Sequence, residues 1–295
     1  MDQAEQLRNI IKAGNVKRSR PLARVITVTS GKGGVGKSNT AINLAIQFRK
    51  MGKKVVILDA DFGLANIEIM FGAVPKHNLS DLIYQGKNIK DIITWGPMEV
   101  GFISGGSGIT GLSNLSKDYL TYIVHNLAEL DTIADVIIVD TGAGISDAVL
   151  EFLVASGEIL LVTTPEPTSI TDSYSLLKAL NGHPGLERDN TQICMIANRV
   201  SAANEGEVLF QKLDVVVSRY PKLPITYLGA VPQDPLLAKA VMQQLPVSLQ
   251  NPQARSAQAY EEIAAKLMKQ DEGQNTQKRG VAAFFSHIIG KRNNG

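Results

Sequence analysis

The run Gly31-Lys32-Gly33-Gly34-Val35-Gly36-Lys37-Ser38 satisfies G-x-x-x-x-G-K-S, a spacing suited to holding nucleotide phosphates. Glycines let the backbone curl until successive amide hydrogens point inward, and Lys37 is long enough to reach the β and γ phosphates. Ser38, followed by Asn39, opens a helix whose N-terminus adds partial positive charge. Its hydroxyl is placed to ligate magnesium. A glycine-rich turn without a ligand would leave this lysine and hydroxyl unexplained. Lys32 is a second cation in the same loop and leaves two readings open. It could point away from its own nucleotide toward the phosphates of a facing subunit, as an arginine finger does, or be an idle solvated charge.

Carboxylates follow at intervals. Asp61 lies just past the apolar run Val55 to Leu58, where a water-positioning group beside a phosphate site belongs; helix capping is the alternative. Asp140 ends the run Val136 to Val139 and begins Asp140-Thr-Gly-Ala-Gly144. It could hold magnesium through water, with two glycines giving a loop that responds to the γ-phosphate.

These groups need a scaffold. Consecutive apolar, β-branched runs at 25–29, 55–58, 136–139, 159–163, 193–197 and 225–231 read as strands buried on both faces. Helix-length segments separate them, at 40–50, 117–130, 147–155, 173–180, 205–220 and 254–269. The alternation predicts an α/β, doubly wound, mostly parallel sheet flanked by helices, with short terminal helices added. The expected division is an N-terminal helix and basic linker over 1–23, a nucleotide-binding domain over 24–269, a polar tether over 270–279 and an amphipathic helix over 280–292.

Composition narrows the classes. At 295 residues and 44% hydrophobic, the chain can bury a large core. Its apolar runs reach only five residues, far short of the roughly 18 a spanning helix needs. The charged first twenty residues do not read as a secretory signal, so a cytosolic protein is expected. A lone Cys194 inside an apolar run excludes disulfide frameworks and thiolate metal sites within one chain. Residues 1–24 and 278–295 each carry +4, so with +2 overall the middle stands at −6. Such an acidic body does not suit nucleic-acid binding, although the ends themselves could meet a polyanion.

Val281, Phe284, Phe285, Ile288 and Ile289 share one helical face, flanked by Lys278, Arg279, Lys291 and Arg292. That pattern matches an interfacial anchor for anionic membrane lipid; packing on the protein's own body or in a partner's groove is the other reading. Near the start, Ala4, Leu7, Ile10 and Ile11 form a second apolar face.

The string Lys32-Gly-Gly-Val-Gly-Lys37-Ser38 resembles the deviant Walker A motif of the MinD/ParA ATPases, and Leu58-Asp-Ala-Asp-Phe-Gly-Leu-Ala-Asn66 is similar to the segment after that family's second strand. The resemblance implies ATP/ADP and Mg2+ as cofactors and slow hydrolysis. It also implies a homodimer sandwiching ATP, with Lys32 crossing the interface. Asp61 would orient the attacking water, Asp59 would sit near magnesium, and Asp140 would be the Walker B carboxylate. Asn198, Arg199, Pro232 and Asp234 stand where that family contacts adenine. The start, with Asp2, Gln3, Leu7 and Arg8, resembles the activator motif of the FlhG group of MinD-like flagellar regulators. This implies stimulation of the GTPase FlhF, flagellar C-ring partners of the FliM/FliN/FliY type, and a cytoplasmic protein peripheral on the inner membrane face. A MinD-type division-site regulator, a ParA-type DNA segregation ATPase and a redox P-loop enzyme are the rival classes.

Overall fold

The apolar runs form strands because side chains on both faces find cover. A computed structural model describes residues 22–61, 66–105, 117–273 and 280–291. Its elements in chain order are β1 (Arg24–Thr29), α1 (Lys37–Lys50), β2 (Val55–Ala60), α2 (Asn66–Phe71), α3 (Leu79–Gln85), α4 (Ile89–Ile92), β3 (Thr94–Trp95), β4 (Gly101–Ser104), α5 (Lys117–Ala128), α6 (Leu130–Ile133) and β5 (Val136–Thr141). There follow α7 (Asp147–Ala155), β6 (Glu158–Thr163), α8 (Pro167–Gly182), β7 (Gln192–Val200), α9 (Glu205–Arg219), β8 (Thr226–Pro232), α10 (Pro235–Met242), α11 (Val247–Gln250), α12 (Arg255–Gly273) and α13 (Val281–Lys291).

The sheet runs β3-β4-β2-β5-β1-β6-β7-β8 and is parallel except for the β3/β4 pair. The doubly wound α/β expectation therefore holds. β3 and β4 were missing from the sequence reading because two and four residues are too few to show a run. In the fold Gly101 to Ser104 are all buried beside β2. Alternate side chains serve opposite layers. Ile26, Val28, Ile57 and Ile138 pack under α1 and α12, whereas Val25, Leu58, Ile137 and Val139 face the layer that holds α3, α4 and α7. Cys194 is a buried core residue whose thiol burial pushes up to about 12.

Chain order reverses on either side of β1, which has β5 on one flank and β6 on the other. Ligands of such sheets bind in the crevice beyond the strands' carboxyl ends at this point.

One boundary differs from expectation, and one charge changes its place. α12 continues through residues assigned to the tether, as far as Gly273. Arg24, counted with the basic N-terminal segment, is buried; it forks onto Glu158 at 2.8 and 2.6 Å and donates to the Leu267 carbonyl at 2.9 Å, joining β1, β6 and α12. Its charge belongs to the fold.

Of the two readings open for the C-terminal apolar face, α13 shows packing on the protein's own body. Val281, Phe284, Phe285 and Ile288 are each at most 3% exposed, seated on the protein rather than held apart from it. They join the cluster containing Val124, Leu127, Phe152 and Ala155, and the Phe284 ring lies 6.0 Å from Phe152. The face pattern was right; the groove between α5 and α7 supplies its cover. The side chain of Ile289 and the whole of Lys278, Arg279 and Arg292 lie outside the described residues. Asp131 holds the entrance to this helix, one carboxylate oxygen accepting from the backbone N–H groups of both Val281 and Ala23 at 3.1 Å. Among the described residues no helix is long and apolar enough to cross a membrane.

Candidate functional site

Two glycines explain the phosphate loop's path. A Cβ on Gly31 would run into the backbone of Asp172 and Ser173 in α8, and Gly36 has a left-handed backbone, φ 96°, at the N-cap of α1. No side chain caps this helix, so its first N–H groups stay available to an anion. A cavity of about 590 Å³ opens beside the loop, lined by Gly33, Gly34, Lys37, Asp61, Asn66 and Arg199 among others. That volume suits a nucleotide-sized ligand.

Inside it the carboxylates meet by strand register. Asp59 and Asp140 are direct partners in the parallel β2/β5 ladder, so both project from adjacent carboxyl ends. Lys37 Nζ stands 3.2 Å from Asp140 Oδ1, in a pair that is almost wholly buried. Burial raises the Asp140 carboxyl above its ordinary range, against the pull of Lys37 and the Ser38 hydroxyl. Burial, and then the neighbouring Asp140 charge, push the Asp59 carboxyl up to about 7. Asp59 accepts from the N–H groups of Asp61 at 3.2 Å and Ile67 at 3.4 Å, tying β2 to α2. Asp61 accepts from Asn66 Nδ2 at 3.2 Å, and its carboxylate lies against Gly142, in the loop after Asp140. Asp61 is thus shared between two segments that would feel a γ-phosphate.

The residues present fit magnesium. Asp140 Oδ2 is buried without a hydrogen-bond partner, and Ser38, Asp59 and Asp140 offer the hard oxygens this ion prefers. Among the described residues no preformed cluster of three His, Cys, Asp or Glu side chains exists. An ion that takes most of its ligands from phosphate and water needs none.

Lys32 does not turn into its own cradle. Its Nζ bonds Glu166 Oε2 at 2.7 Å and Thr168 Oγ1 at 2.8 Å at the head of α8. The lysine, with Arg199 helping, holds the exposed Glu166 carboxyl below the usual range. Neither Glu166 nor Thr168 was singled out in the sequence, where they stand more than 130 residues from Lys32; Pro167 at the helix start was the available signal.

The residues matched to adenine contacts separate into two groups. Asn198 Nδ2 donates to the Val35 carbonyl at 2.7 Å and Arg199 Nη2 to the Gly34 carbonyl at 2.8 Å, so both touch the loop. Asp234 is differently engaged. One of its oxygens caps α10 at Leu236 N, and the other accepts from the N–H and hydroxyl of Ser256 at the head of α12. Both oxygens hold helix ends, and Pro232 closes β8 beside them. Asp2, Gln3, Leu7 and Arg8 lie outside the described residues.

Comparison with known proteins agrees with this geometry. A family profile described as "ParA: NUBPL iron-transfer P-loop NTPase" matches residues 21–268. The antiactivator FleN of Pseudomonas aeruginosa is 38% identical over 83% of this chain and 86% of its own. The flagellum site-determining protein YlxH of Helicobacter pylori is 32% identical over 98% of both chains. Among solved structures, the septum site-determining protein MinD of Pyrococcus horikoshii, complexed with Mg-ADP, superposes with a TM-score of 0.66 at 22% identity, covering 85% of this chain and 98% of that one. The phosphate loop at the switch point, with its second lysine, defines a P-loop NTPase, and the chain belongs to the MinD/ParA family. Within that family it is an FlhG-like member, akin to FleN and YlxH.

Proposed function

We propose that this chain is an ATP-binding and ATP-hydrolysing switch that dimerises around nucleotide and controls the number and placement of flagella. The observation that carries the reading is Lys32, a loop cation 36% exposed and paired, among the described residues, with the exposed head of α8, where a second subunit's phosphates could take it over. FleN and YlxH, named an antiactivator and a flagellum site-determining protein, support the flagellar assignment.

In this scheme Lys37 and the N–H groups of the loop bind the phosphates, and Ser38, Asp140 and Asp59 would hold magnesium. Bound there, the ion neutralises phosphate charge. Asp61 orients the attacking water and accepts its proton. Because Asp61 rests against Gly142, the states of the two segments are linked. The N-terminal segment, with Asp2, Gln3, Leu7 and Arg8, would stimulate FlhF, and C-ring proteins of the FliM/FliN/FliY type would be further partners.

The α13 face is also the membrane anchor of the proposal, cytoplasmic in one state and peripheral on the inner membrane face in the other. Four buried apolar side chains contribute about 2 kcal/mol each whether they enter the groove or a bilayer, so the exchange is close to neutral. Attraction of about 1 kcal/mol per basic residue to anionic lipid then decides the direction. Two anchors on one dimer bind far more tightly than one.

Sedimentation with anionic liposomes tests the scheme. The full chain should pellet with ATP and not with ADP, and a chain ending at Gly273 should pellet with neither. Nucleotide-independent pelleting would defeat the switch. The iron-transfer description of the matching profile favours a second reading only weakly, because the chain's lone cysteine, Cys194, is buried and its thiol is pushed up to about 12.

A further inference from the structure

The outer surface of the phosphate loop is tied down at four carbonyls. Ser30 Oγ donates to the Lys32 carbonyl at 2.9 Å, Arg199 Nη2 to that of Gly34 at 2.8 Å, and Asn198 Nδ2 to that of Val35 at 2.7 Å. Thr40 donates to the Gly36 carbonyl through both its N–H and its hydroxyl, each at 2.9 Å. A trans peptide unit is planar, with its C=O and the following N–H pointing in opposite directions. A carbonyl held outward therefore turns the next residue's N–H inward. By this rule the four ties aim the N–H groups of Gly33, Val35, Gly36 and Lys37 toward the concave side, where an anion sits.

Three of the tying residues are beside the loop in sequence or buried. Ser30 precedes it, Thr40 is in α1, and Asn198 is 2% exposed at the end of β7. Arg199 differs: it is exposed, arrives from 165 residues away and has a left-handed backbone, φ 58°. A non-glycine residue adopts that conformation only when something else holds it there. Its own N–H donates to Asn198 Oδ1 at 2.9 Å. The left-handed turn thereby presents both side chains, at adjacent positions, to adjacent carbonyls.

We infer that Arg199 is a positioning residue of the nucleotide site, which pre-sets the anion cradle by clasping the Gly34 carbonyl from outside and has no need to touch the nucleotide. This rests on the nucleotide-binding reading above. It assigns the strained Arg199 to the loop rather than to the base. The ligand class it serves is any diphosphate, with or without a nucleoside.

The test compares the full chain with Arg199→Gly, measuring affinity for Mg-ADP and for inorganic pyrophosphate by calorimetry, and the melting temperature without ligand. Glycine accepts the left-handed backbone without strain but cannot clasp. Losing a charged donor to a carbonyl should weaken both ligands alike, by about tenfold, with the ligand-free melting temperature unchanged. Weaker ADP with unaltered pyrophosphate would mean a contact to the base and would overturn the assignment. So would unaltered affinity for both, or a melting temperature that falls in step with affinity. A wild-type chain that bound neither ligand would sink the nucleotide reading itself; wild-type binding with an indifferent variant would sink only the clasp.

Discussion

The phosphate loop and the α13 groove are held by opposite kinds of force. Around the loop, four peptide carbonyls have named donors, the Lys37–Asp140 pair is almost wholly buried, and Gly31 tolerates no Cβ. Hydrogen bonds and glycine contacts are directional, so one geometry is allowed. The α13 face is held by four apolar side chains and one carboxylate oxygen at its N-terminus. Apolar contact has no direction and is worth as much in lipid as in protein. A directional site can do chemistry, and a non-directional one can be exchanged for another greasy surface.

Removing charge from the directional side should have the greatest effect. Lys37→Ala is expected to weaken Mg-ADP binding by about 100-fold or more, the usual consequence of truncating a buried charged partner. Asp140, already raised by burial, then takes up a proton rather than remaining a bare buried charge. The fold should survive, and calorimetry should register a pure binding loss.

Phe284→Ala addresses the other region. In an integral core it would cost roughly 3–5 kcal/mol of global stability. If α13 is separable, the cost stops at the helix's own docking energy. Hydrogen exchange should then accelerate in α13 and its groove while β1 and β5 stay protected. Sheet amides opening together with α13 would show that the two regions are one unit.

The smallest expected effect is a pH dependence. A carboxyl raised to about 7 in the fold favours the folded state while protonated. Its stabilising share is complete below the unfolded value near 4 and declines as pH rises toward 7. Asp59→Asn should therefore raise the ligand-free melting temperature by about 5 °C at pH 8, with the advantage fading toward pH 4. An equal gain at every pH would remove ionisation as the cause.

Much of the directional region was legible in the chain. The glycines, Lys37 and Ser38 are consecutive, and a motif whose parts are neighbours in sequence carries its geometry with it. Asp61 and Asp140 were legible as strand-end carboxylates, and Asp59 through the family resemblance. Other features were less so. Asp234-Pro235 is a helix start by its own chemistry, an N-cap followed by proline at the first turn, yet the match to adenine contacts drew attention from that simpler signal. β3 and β4 are too short to show a period. Asp131 gave no local signal at all, because its two partners, Ala23 and Val281, are 108 and 150 residues away.

From residue order alone come the phosphate loop, the alternation of buried strands with helices, and the apolar face near the C-terminus. Each depends on neighbours a few positions apart, within reach of local periodicity and backbone conformation. Folding settled what those features touch: Lys32 against Glu166, Arg199 against the Gly34 carbonyl, and Phe284 in a groove of the protein itself. A periodicity says which way a face points along its own helix, but its partner is chosen by the packing of elements brought together across more than a hundred residues.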